Sequence, residues 1–145
     1  LDHGILLHGG GWKKLAAQAV SAEEFKQRLQ AVTGIRRVHN YYGMVEQTGS
    51  IYMECEAGHL HSSSFSEILV RDPVSFQPLP PGQVGLIQLL SVLPHSYPGH
   101  VLLSEDLGEI LPLERCPCGR EGSVVRIHGR VPQAEVRGCS DAYAS

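Results

Sequence analysis

The sequence predicts an α/β segment followed by a β-rich segment. Apolar runs at residues 4–8 and 35–39 flank a stretch of helical periodicity, the order expected of a β-α-β unit in a parallel sheet. After residue 50, apolar residues recur at every second position in short runs bounded by glycine and proline, as in hairpins. We therefore expect the end of a parallel sheet at residues 1–50 and a small distorted β-barrel or bent sheet at residues 51–145.

The composition excludes two classes of function. With 145 residues and 42% hydrophobic residues, the chain can bury the core of one folded unit. Its net charge of -3 and the lack of a basic cluster remove the electrostatic footprint of a nucleic-acid-binding protein. No apolar run approaches the ~20 residues of a membrane span, and no signal peptide precedes the first predicted strand. We expect a cytoplasmic protein.

The first predicted strand ends in three glycines. Gly9, Gly10 and Gly11 follow the apolar run at residues 4–8. Glycines at such a point let main-chain groups approach a ligand closely, and a simple turn into the next helix would also explain them. They are not a P-loop, because no Gly-Lys-Ser/Thr follows at the required spacing.

Helical signals fill the stretch between the two strands. Residues 13–20 favour a first helix, and Ser21 with Glu24 forms a capping box at the start of a second, which Gly34 ends. One face of the second helix carries apolar residues that we expect in the core: Phe25, Leu29 and Val32.

The junction at residues 39–55 is where we expect chemistry. The second strand runs from apolar into polar residues, and ligands of open α/β sheets bind beyond the carboxyl ends of strands. Tyr42 offers a flat face to a planar ligand, and Glu46 offers a carboxylate about one turn later, which suits a base and a metal-bound phosphate. The alternative is an ordinary strand end and turn.

Short strands are predicted throughout the second segment. Alternating or apolar runs indicate them at residues 51–54, 68–71, 84–92, 101–103, 109–111 and 123–128.

A cysteine and histidine pattern suggests a metal site. Cys55 is followed by His59 and His61, and Cys116 and Cys118 lie much further on at a hairpin-like turn. Three thiolates and one imidazole form the tetrahedral set that zinc prefers. The alternatives are free buried cysteines or a disulfide, and the lack of a secretory signal argues against a disulfide.

The segment at residues 42–46, Tyr-Gly-Met-Val-Glu, resembles the Tyr-Gly-x-Thr-Glu motif of the adenylate-forming enzymes, which activate carboxylates with ATP. The resemblance implies that Glu46 holds magnesium and that adenine lies between the segment at Tyr42 and Gly43 and the glycine run Gly9, Gly10 and Gly11. Val45 replaces the usual threonine, so the hydroxyl expected near the α-phosphate is absent.

Two later segments extend this resemblance. Residues 103–109 are similar to the family segment whose aspartate binds the ribose hydroxyls, which makes Asp106 the candidate. An acidic surface turn is the alternative explanation. Arg130 stands in a Gly-Arg pair similar to the family's, where the guanidinium contacts ribose or phosphate.

Residues 54–61 and 116–120 resemble segments of the phenylacetate-CoA ligase-type members of the same superfamily. In those segments the histidine follows a leucine, which selects His61 rather than His59. The resemblance therefore implies a structural zinc site made of four side chains: Cys55, His61, Cys116 and Cys118.

The ending at residues 135–141 resembles the acyl-protein synthetases, the fatty-acid synthetases of bacterial bioluminescence. That family activates a fatty acid as acyl-AMP and passes the acyl group to a cysteine near the C-terminus, which implies Cys139 as acceptor. The resemblance covers residues 4–141 and only the C-terminal part of such an enzyme. We expect a catalytically incomplete portion of a longer chain, with a fatty or aryl carboxylic acid as substrate and an acyl-acceptor protein as a partner.

A zinc-stabilised binding or scaffold module of the same fold, without catalysis, is the alternative function. Val45 favours it, as do residues 131–133, Val-Pro-Gln, which stand where many members of the superfamily have an acidic hinge residue.

Overall fold

The computed structural model describes residues 3–95 and 97–132. Within them, eight strands form one mixed sheet in the order β1-β2-β3-β4-β8-β7-β6-β5, where β1 and β2 are parallel and all other neighbours are antiparallel. The strands are β1 (Ile5–Gly9), β2 (Arg37–Tyr42), β3 (Tyr52–Glu54), β4 (Leu60–His61), β5 (Ser66–Arg71), β6 (Gly85–Ser91), β7 (Val101–Ile110) and β8 (Val124–Arg130). One α-helix, α1 (Ala22–Thr33), connects β1 to β2, and two short 3-10 segments span Lys13–Gln18 and Val45–Gln47.

The predicted β-α-β unit is confirmed. At the start of α1, the backbone N–H of Glu24 donates to Ser21 Oγ at 3.1 Å, and at its end Gly34 adopts a φ of 76°. The predicted helix at residues 13–20 is wrong. That stretch forms 3-10 turns over Lys13–Gln18, interrupted at Leu15, whose φ of −96° and ψ of 16° do not continue an α-helical hydrogen-bond ladder.

The apolar stripe of α1 is not a buried core face as predicted. No residue of the helix is buried, and Val32 is 86% exposed, because nothing in the described part of the chain covers that end of the helix. The helix instead packs near its first turns, where the ring of Phe25 meets the rings of His8 and Trp12 with centroids 4.9 and 6.1 Å apart.

A buried carboxylate joins α1 to the sheet. Glu54 Oε1 lies 2.6 Å from Lys26 Nζ, and Glu54 Oε2 accepts a hydrogen bond from the backbone N–H of Asn40 at 2.6 Å. The Glu54 side chain is 7% exposed. One carboxylate therefore fastens the helix and extends the pairing of β2 with β3.

The core lies on one side of the curved sheet. Its buried members come from β3, β4, β5, β6 and β8, and they are Tyr52, Leu60, Ile68, Val70, Ile87, Leu89 and Val125. A smaller buried cluster surrounds the β7–β8 turn and contains Cys55, Leu111, Cys116 and Val124. These two clusters account for the apolar alternation predicted for the second segment.

The second segment is a bent sheet and not the closed barrel that we also considered. β5 remains an edge strand, and no strand pairing among the described residues joins it to β3 or β1. Backbone groups at the free edge of β5 already have other partners. The backbone N–H of Ile68 donates to Glu67 Oε1 at 2.8 Å, and Val70 O accepts from the backbone N–H of Leu79 at 2.8 Å. Two of the groups that barrel closure would need are therefore already occupied.

Two strand predictions were also incomplete. The runs at residues 101–103 and 109–111 belong to one strand, β7, and the two-residue strand β4 was not predicted. In the described residues, no helix has both the length and the hydropathy needed to cross a membrane.

We expect the two ion pairs of α1 to differ in energetic importance. Lys26→Ala leaves the Glu54 carboxylate buried without its cation and should reduce the free energy of unfolding by about 1–3 kcal/mol. Arg28→Ala breaks the Arg28–Glu24 pair, whose side chains are 67% and 45% exposed, and should cost less than about 0.5 kcal/mol. Urea denaturation of the two variants checks this. Equal losses would contradict the role given to Glu54.

Candidate nucleotide site and metal centre

Asp106 lies at an irregularity of β7 and not in the acidic surface turn that was the alternative explanation. Leu86 pairs with Leu107 and Gln88 pairs with Leu103, so one residue of β6, Ile87, lies opposite three residues of β7. Ser104 takes the place of the missing ladder bonds. Its hydroxyl donates to Ile87 O at 3.0 Å and accepts from the backbone N–H of Asp106 at 3.1 Å. The sequence analysis did not identify Ser104; its only signal was a polar residue inside an apolar strand.

A second bulge brings Arg130 opposite Asp106. Between β7 and β8, Leu107 pairs with Gly129 but Gly108 pairs with Ile127, which leaves His128 as the extra residue. Gly129 has a φ of 118°, a value that favours glycine. As a result Asp106 and Arg130 are direct ladder partners, with Arg130 Nε 3.8 Å from Asp106 Oδ1.

Tyr42 completes this group. Its hydroxyl donates to Asp106 Oδ2 at 2.7 Å, and the two residues are 64 positions apart in sequence. Burial, together with the hydrogen bond to Asp106, raises the pKa of Tyr42 well above its ordinary value, so the hydroxyl stays protonated and remains a donor. The structure thus brings together three predicted nucleotide-site residues: Tyr42, Asp106 and Arg130.

Glu46 is an exposed residue of the 3-10 segment Val45–Gln47, four residues after Tyr42. Its carboxylate has no hydrogen bond or ion pair with the described residues, so it is free to bind a cation. Val45, at the position of the missing hydroxyl, is 82% exposed. Gly43 is exposed, and a Cβ there would lie 3.2 Å from Ser50 O, which is a tight contact.

The three consecutive glycines, the first of which ends β1, differ in their surroundings. A Cβ at Gly9 would lie 2.7 Å from Tyr41 Cζ, so packing of the Tyr41 ring explains this glycine. A Cβ at Gly10, which has a φ of 81°, or at Gly11 would have no other atom within 4 Å, so the backbone there is open. The three glycines line a cleft of about 300 Å³ whose other walls are His8, Trp12, Leu15, Val20, Ala22 and Phe25.

Four cysteine and histidine side chains converge beside β4. Their ligand atoms all lie within 4.8 Å of one another, and the residues are Cys55, His61, Cys116 and Cys118. Two tight turns present them. The backbone N–H of Cys55 donates to His59 O at 2.8 Å, and that of Gly119 donates to Cys116 O at 2.9 Å. Three sulfur atoms and one imidazole nitrogen at these separations can surround a zinc ion.

The two histidines differ in burial and in their place relative to the group of four. His61 is 3% exposed, and its Nε2 lies 3.5 Å from Cys118 Sγ within the group of four. His59 is only half-buried, and its Nδ1 lies 3.4 Å from Cys116 Sγ at the margin of the group. Burial, with the nearby Arg120 and His59, lowers the pKa of His61, which favours the neutral imidazole that binds metals.

One feature departs from common metal sites. His61 Nδ1 is buried without a hydrogen-bond partner among the described residues. It therefore lacks the bond that usually orients a metal-binding imidazole. The thiols differ as well: the backbone N–H of Arg120 is the main cause of a lowered Cys118 pKa, whereas burial raises the pKa of Cys116. Cys118 is therefore the thiol that ionises more readily.

Cys139, the predicted acyl acceptor, lies outside the described residues. So do Gln133 and the residues that follow it.

Gln47 is a second residue that was not predicted from the sequence, and it is fully buried directly after Glu46. No sequence signal distinguishes it, because glutamine is common at exposed turns.

The chain matches the family model described as acyl-protein synthetase, LuxE, over residues 2–145. It is 30% identical over 144 residues to the long-chain-fatty-acid–luciferin-component ligase of Vibrio harveyi, covering 93% of this chain and 35% of that protein. It is 23% identical over 147 residues to the protein of the same name from Aliivibrio fischeri, covering 99% and 38%. The chain therefore spans little more than a third of the length of these relatives.

Solved structures support the fold. An open conformation of 2-hydroxyisobutyryl-CoA ligase, in complex with 2-HIB-AMP and CoA, superposes with a TM-score of 0.67 at 24% identity, over 89% of this chain and 28% of that chain. Apo MatB from Rhodopseudomonas palustris superposes with a TM-score of 0.56 at 20% identity, over 87% and 25%.

The family match extends over nearly the whole chain and includes the segments that hold Tyr42, Asp106 and the cysteine and histidine group. The chain belongs to the LuxE family of acyl-protein synthetases.

Proposed function

We propose that this chain is the nucleotide-holding portion of an ATP-dependent acyl-protein synthetase. In this reaction a carboxylate attacks the α-phosphate of ATP, which forms acyl-AMP and releases pyrophosphate, and a cysteine thiol then takes the acyl group and releases AMP. The observation that carries the proposal is the Tyr42–Asp106 hydrogen bond of 2.7 Å, beside Arg130. Family membership and the acyl-AMP ligand of a structural neighbour support the same reaction class.

The contacts of Asp106 suit a ribose. The Tyr42 hydroxyl occupies one oxygen of the Asp106 carboxylate, yet the Asp106 side chain is still 20% exposed. A carboxylate has about four acceptor positions, so Asp106 can accept both vicinal hydroxyls of a ribose while it keeps its Tyr42 bond. Adenine would then lie between the Tyr42–Gly43 turn and the open backbone of Gly10 and Gly11. In this arrangement Arg130 holds Asp106 and offers positive charge to the nucleotide.

Magnesium fits Glu46. Hard oxygen ligands suit this ion, and it usually bridges one or two carboxylates and the substrate's phosphates. The Glu46 carboxylate is exposed and unpaired among the described residues, as such a role requires. When bound, magnesium would offset the charge that develops on the pyrophosphate leaving group.

Zinc fits the group of four, which is closed and nearly buried. A site with four protein ligands leaves no position for substrate, so its contribution would be structural. It would join the β3–β4 turn to the β7–β8 turn, two segments about 60 residues apart, and part of the binding free energy would become folding free energy.

The substrate and acceptor follow from the relatives. Their names point to a long-chain fatty acid, within the class of fatty or aryl acids expected from the sequence. Cys139 is the candidate acyl acceptor, with onward transfer to a partner protein in the cytoplasm.

Asp106→Ala should weaken ATP binding by roughly 1–3 kcal/mol, because charged hydrogen bonds to the ribose are lost. Glu105→Ala is the matched control: this carboxylate is adjacent, 60% exposed and 3.0 Å from Arg130, and its loss should cost less than about 0.5 kcal/mol. Calorimetric titration of ATP into the protein as its gene encodes it distinguishes the two. An unchanged dissociation constant in Asp106→Ala would refute the ribose assignment.

Purified protein should carry about one zinc ion per chain, the stoichiometry of a closed site. Cys118→Ser should lose the ion and melt at a lower temperature, because a ligand is removed. His59→Ala should keep the ion, since His59 lies outside the group of four. Elemental analysis with thermal denaturation tests both variants. Zinc retained in Cys118→Ser, or lost in His59→Ala, would disprove this ligand set.

Incubation of the protein as its gene encodes it with ATP, magnesium and a long-chain fatty acid should acylate one cysteine. Mass spectrometry should locate the thioester at Cys139, and Cys139→Ser should abolish it while zinc content and acyl-AMP formation remain. A thioester on another cysteine would refute the acceptor assignment. Absence of both acyl-AMP and thioester in the wild-type protein would instead favour the binding-module alternative.

A further inference from the structure

The buried amide of Gln47 connects two segments of the candidate nucleotide site. Gln47 is 0% exposed, and its Nε2 donates to Gly99 O at 2.8 Å. Its backbone belongs to the 3-10 segment that carries Glu46: its N–H donates to Met44 O at 3.0 Å, and its carbonyl accepts from Ser50 N at 3.1 Å. The side chain therefore reaches from the Glu46 segment to the loop between β6 and β7.

Close packing accompanies this hydrogen bond. A Cβ on Gly99 would lie 2.5 Å from Glu46 O, a distance that side chains do not tolerate. A Cβ on Gly49, on the other side of the segment, would lie 3.5 Å from Leu93 Cδ1. Gly99 thus packs directly against the backbone of Glu46, and Leu93 lies beside Gly49.

Stability alone does not account for an amide at this place. Gln47 Oε1 and the nearby Ser50 Oγ are both buried without a hydrogen-bond partner in the part of the chain that the structure describes. Each unsatisfied buried polar atom destabilises the folded state, because its hydration is lost without a replacement bond. An apolar side chain of similar volume would avoid the penalty at Gln47, so its single bond to Gly99 is the feature that needs an explanation. Departures of this kind concentrate at functional sites.

The loop leads directly to Asp106. Strand β7 begins at Val101, two residues after Gly99, and carries Asp106 at its bulge. The Gln47 bond therefore joins the segment that contains Tyr42 and Glu46 to the strand that contains Asp106.

We propose that Gln47 is a positioning residue for Glu46. By fastening the loop to the Glu46 segment, it sets where the carboxylate stands relative to Asp106, and so where magnesium meets the phosphates. This inference rests on the proposed function, in which Glu46 holds magnesium.

Gln47→Leu and Gly99→Ala disturb the contact from opposite sides. Gln47→Leu removes the donor at similar volume, and Gly99→Ala pushes a methyl group against Glu46 O. Both should raise the magnesium concentration for half-maximal ATP–pyrophosphate exchange with a long-chain fatty acid by about tenfold, the effect of one misplaced polar contact. ATP binding without magnesium should stay within about twofold, because Asp106 is untouched. A merely structural residue would not change the magnesium requirement selectively.

Ser50→Ala is the matched control, since it removes a buried polar atom from the same turn without touching the loop. It should keep the wild-type magnesium requirement. Hydrogen–deuterium exchange gives a readout apart from activity: uptake at residues 97–101 should rise in Gln47→Leu and Gly99→Ala and remain unchanged in Ser50→Ala. If deuterium uptake at these residues stays at the wild-type level in both Gln47→Leu and Gly99→Ala, the inference is overturned.

Glu46→Ala separates the two levels of the argument. If Glu46→Ala raises the magnesium requirement and Gln47→Leu and Gly99→Ala do not, the positioning inference is overturned while the proposed function stands. If Glu46→Ala keeps the wild-type requirement, the magnesium role of Glu46 is refuted, and the positioning inference falls with it.

Discussion

Within the part of the chain that the structure describes, the sheet is continuous only through β4, a strand of two residues. Leu60 and His61 pair with β3 on one side and with β8 on the other, two residue pairs in each case. Tyr42 lies on the β1–β3 side of this junction, and Asp106 and Arg130 lie on the β5–β8 side. The distance between the two halves of the candidate nucleotide site therefore depends on a very short stretch of backbone pairing, and the cysteine and histidine group lies beside that stretch.

Irregular pairing, and not regular strand geometry, forms the nucleotide side of the site. A regular ladder between β6 and β7 would alternate side chains strictly between the two faces. The extra residues in β7 and β8 interrupt that alternation and place Asp106 opposite Arg130. Ser104 makes the interruption tolerable, because its hydroxyl satisfies backbone groups that lost their ladder partners.

Local signals in the sequence predicted what depends on neighbouring residues. The Ser21 cap, the Gly34 stop and the alternation around Ile68 each act over a few positions. Features that depend on distant partners were missed. A two-residue strand has no measurable period, and the exposure of Val32 depends on what covers the helix.

The candidate site shows the same contrast between local signals and features that depend on distant residues. Residue types and spacing suggested three thiolates and an imidazole, but only the family resemblance selected His61, and only the fold shows it beside Cys118. The family resemblance made Asp106 the ribose candidate, but an acidic turn stayed open as the alternative, because a bulge is a property of pairing with β6 and β8. Gln47 carried no signal, since its burial follows from a loop that lies about 50 residues away.

The occupied edge of β5 also bears on how molecules of this protein meet one another. An unpaired strand edge is a template on which another chain can add a strand, the first step of many aggregation reactions. Along the free edge of β5, however, the backbone N–H of Ile68 already donates to Glu67 Oε1, and Val70 O already accepts from the backbone N–H of Leu79. The contacts that prevent the sheet from closing on itself therefore also discourage growth into a second molecule, so β5 is a poor nucleus for aggregation.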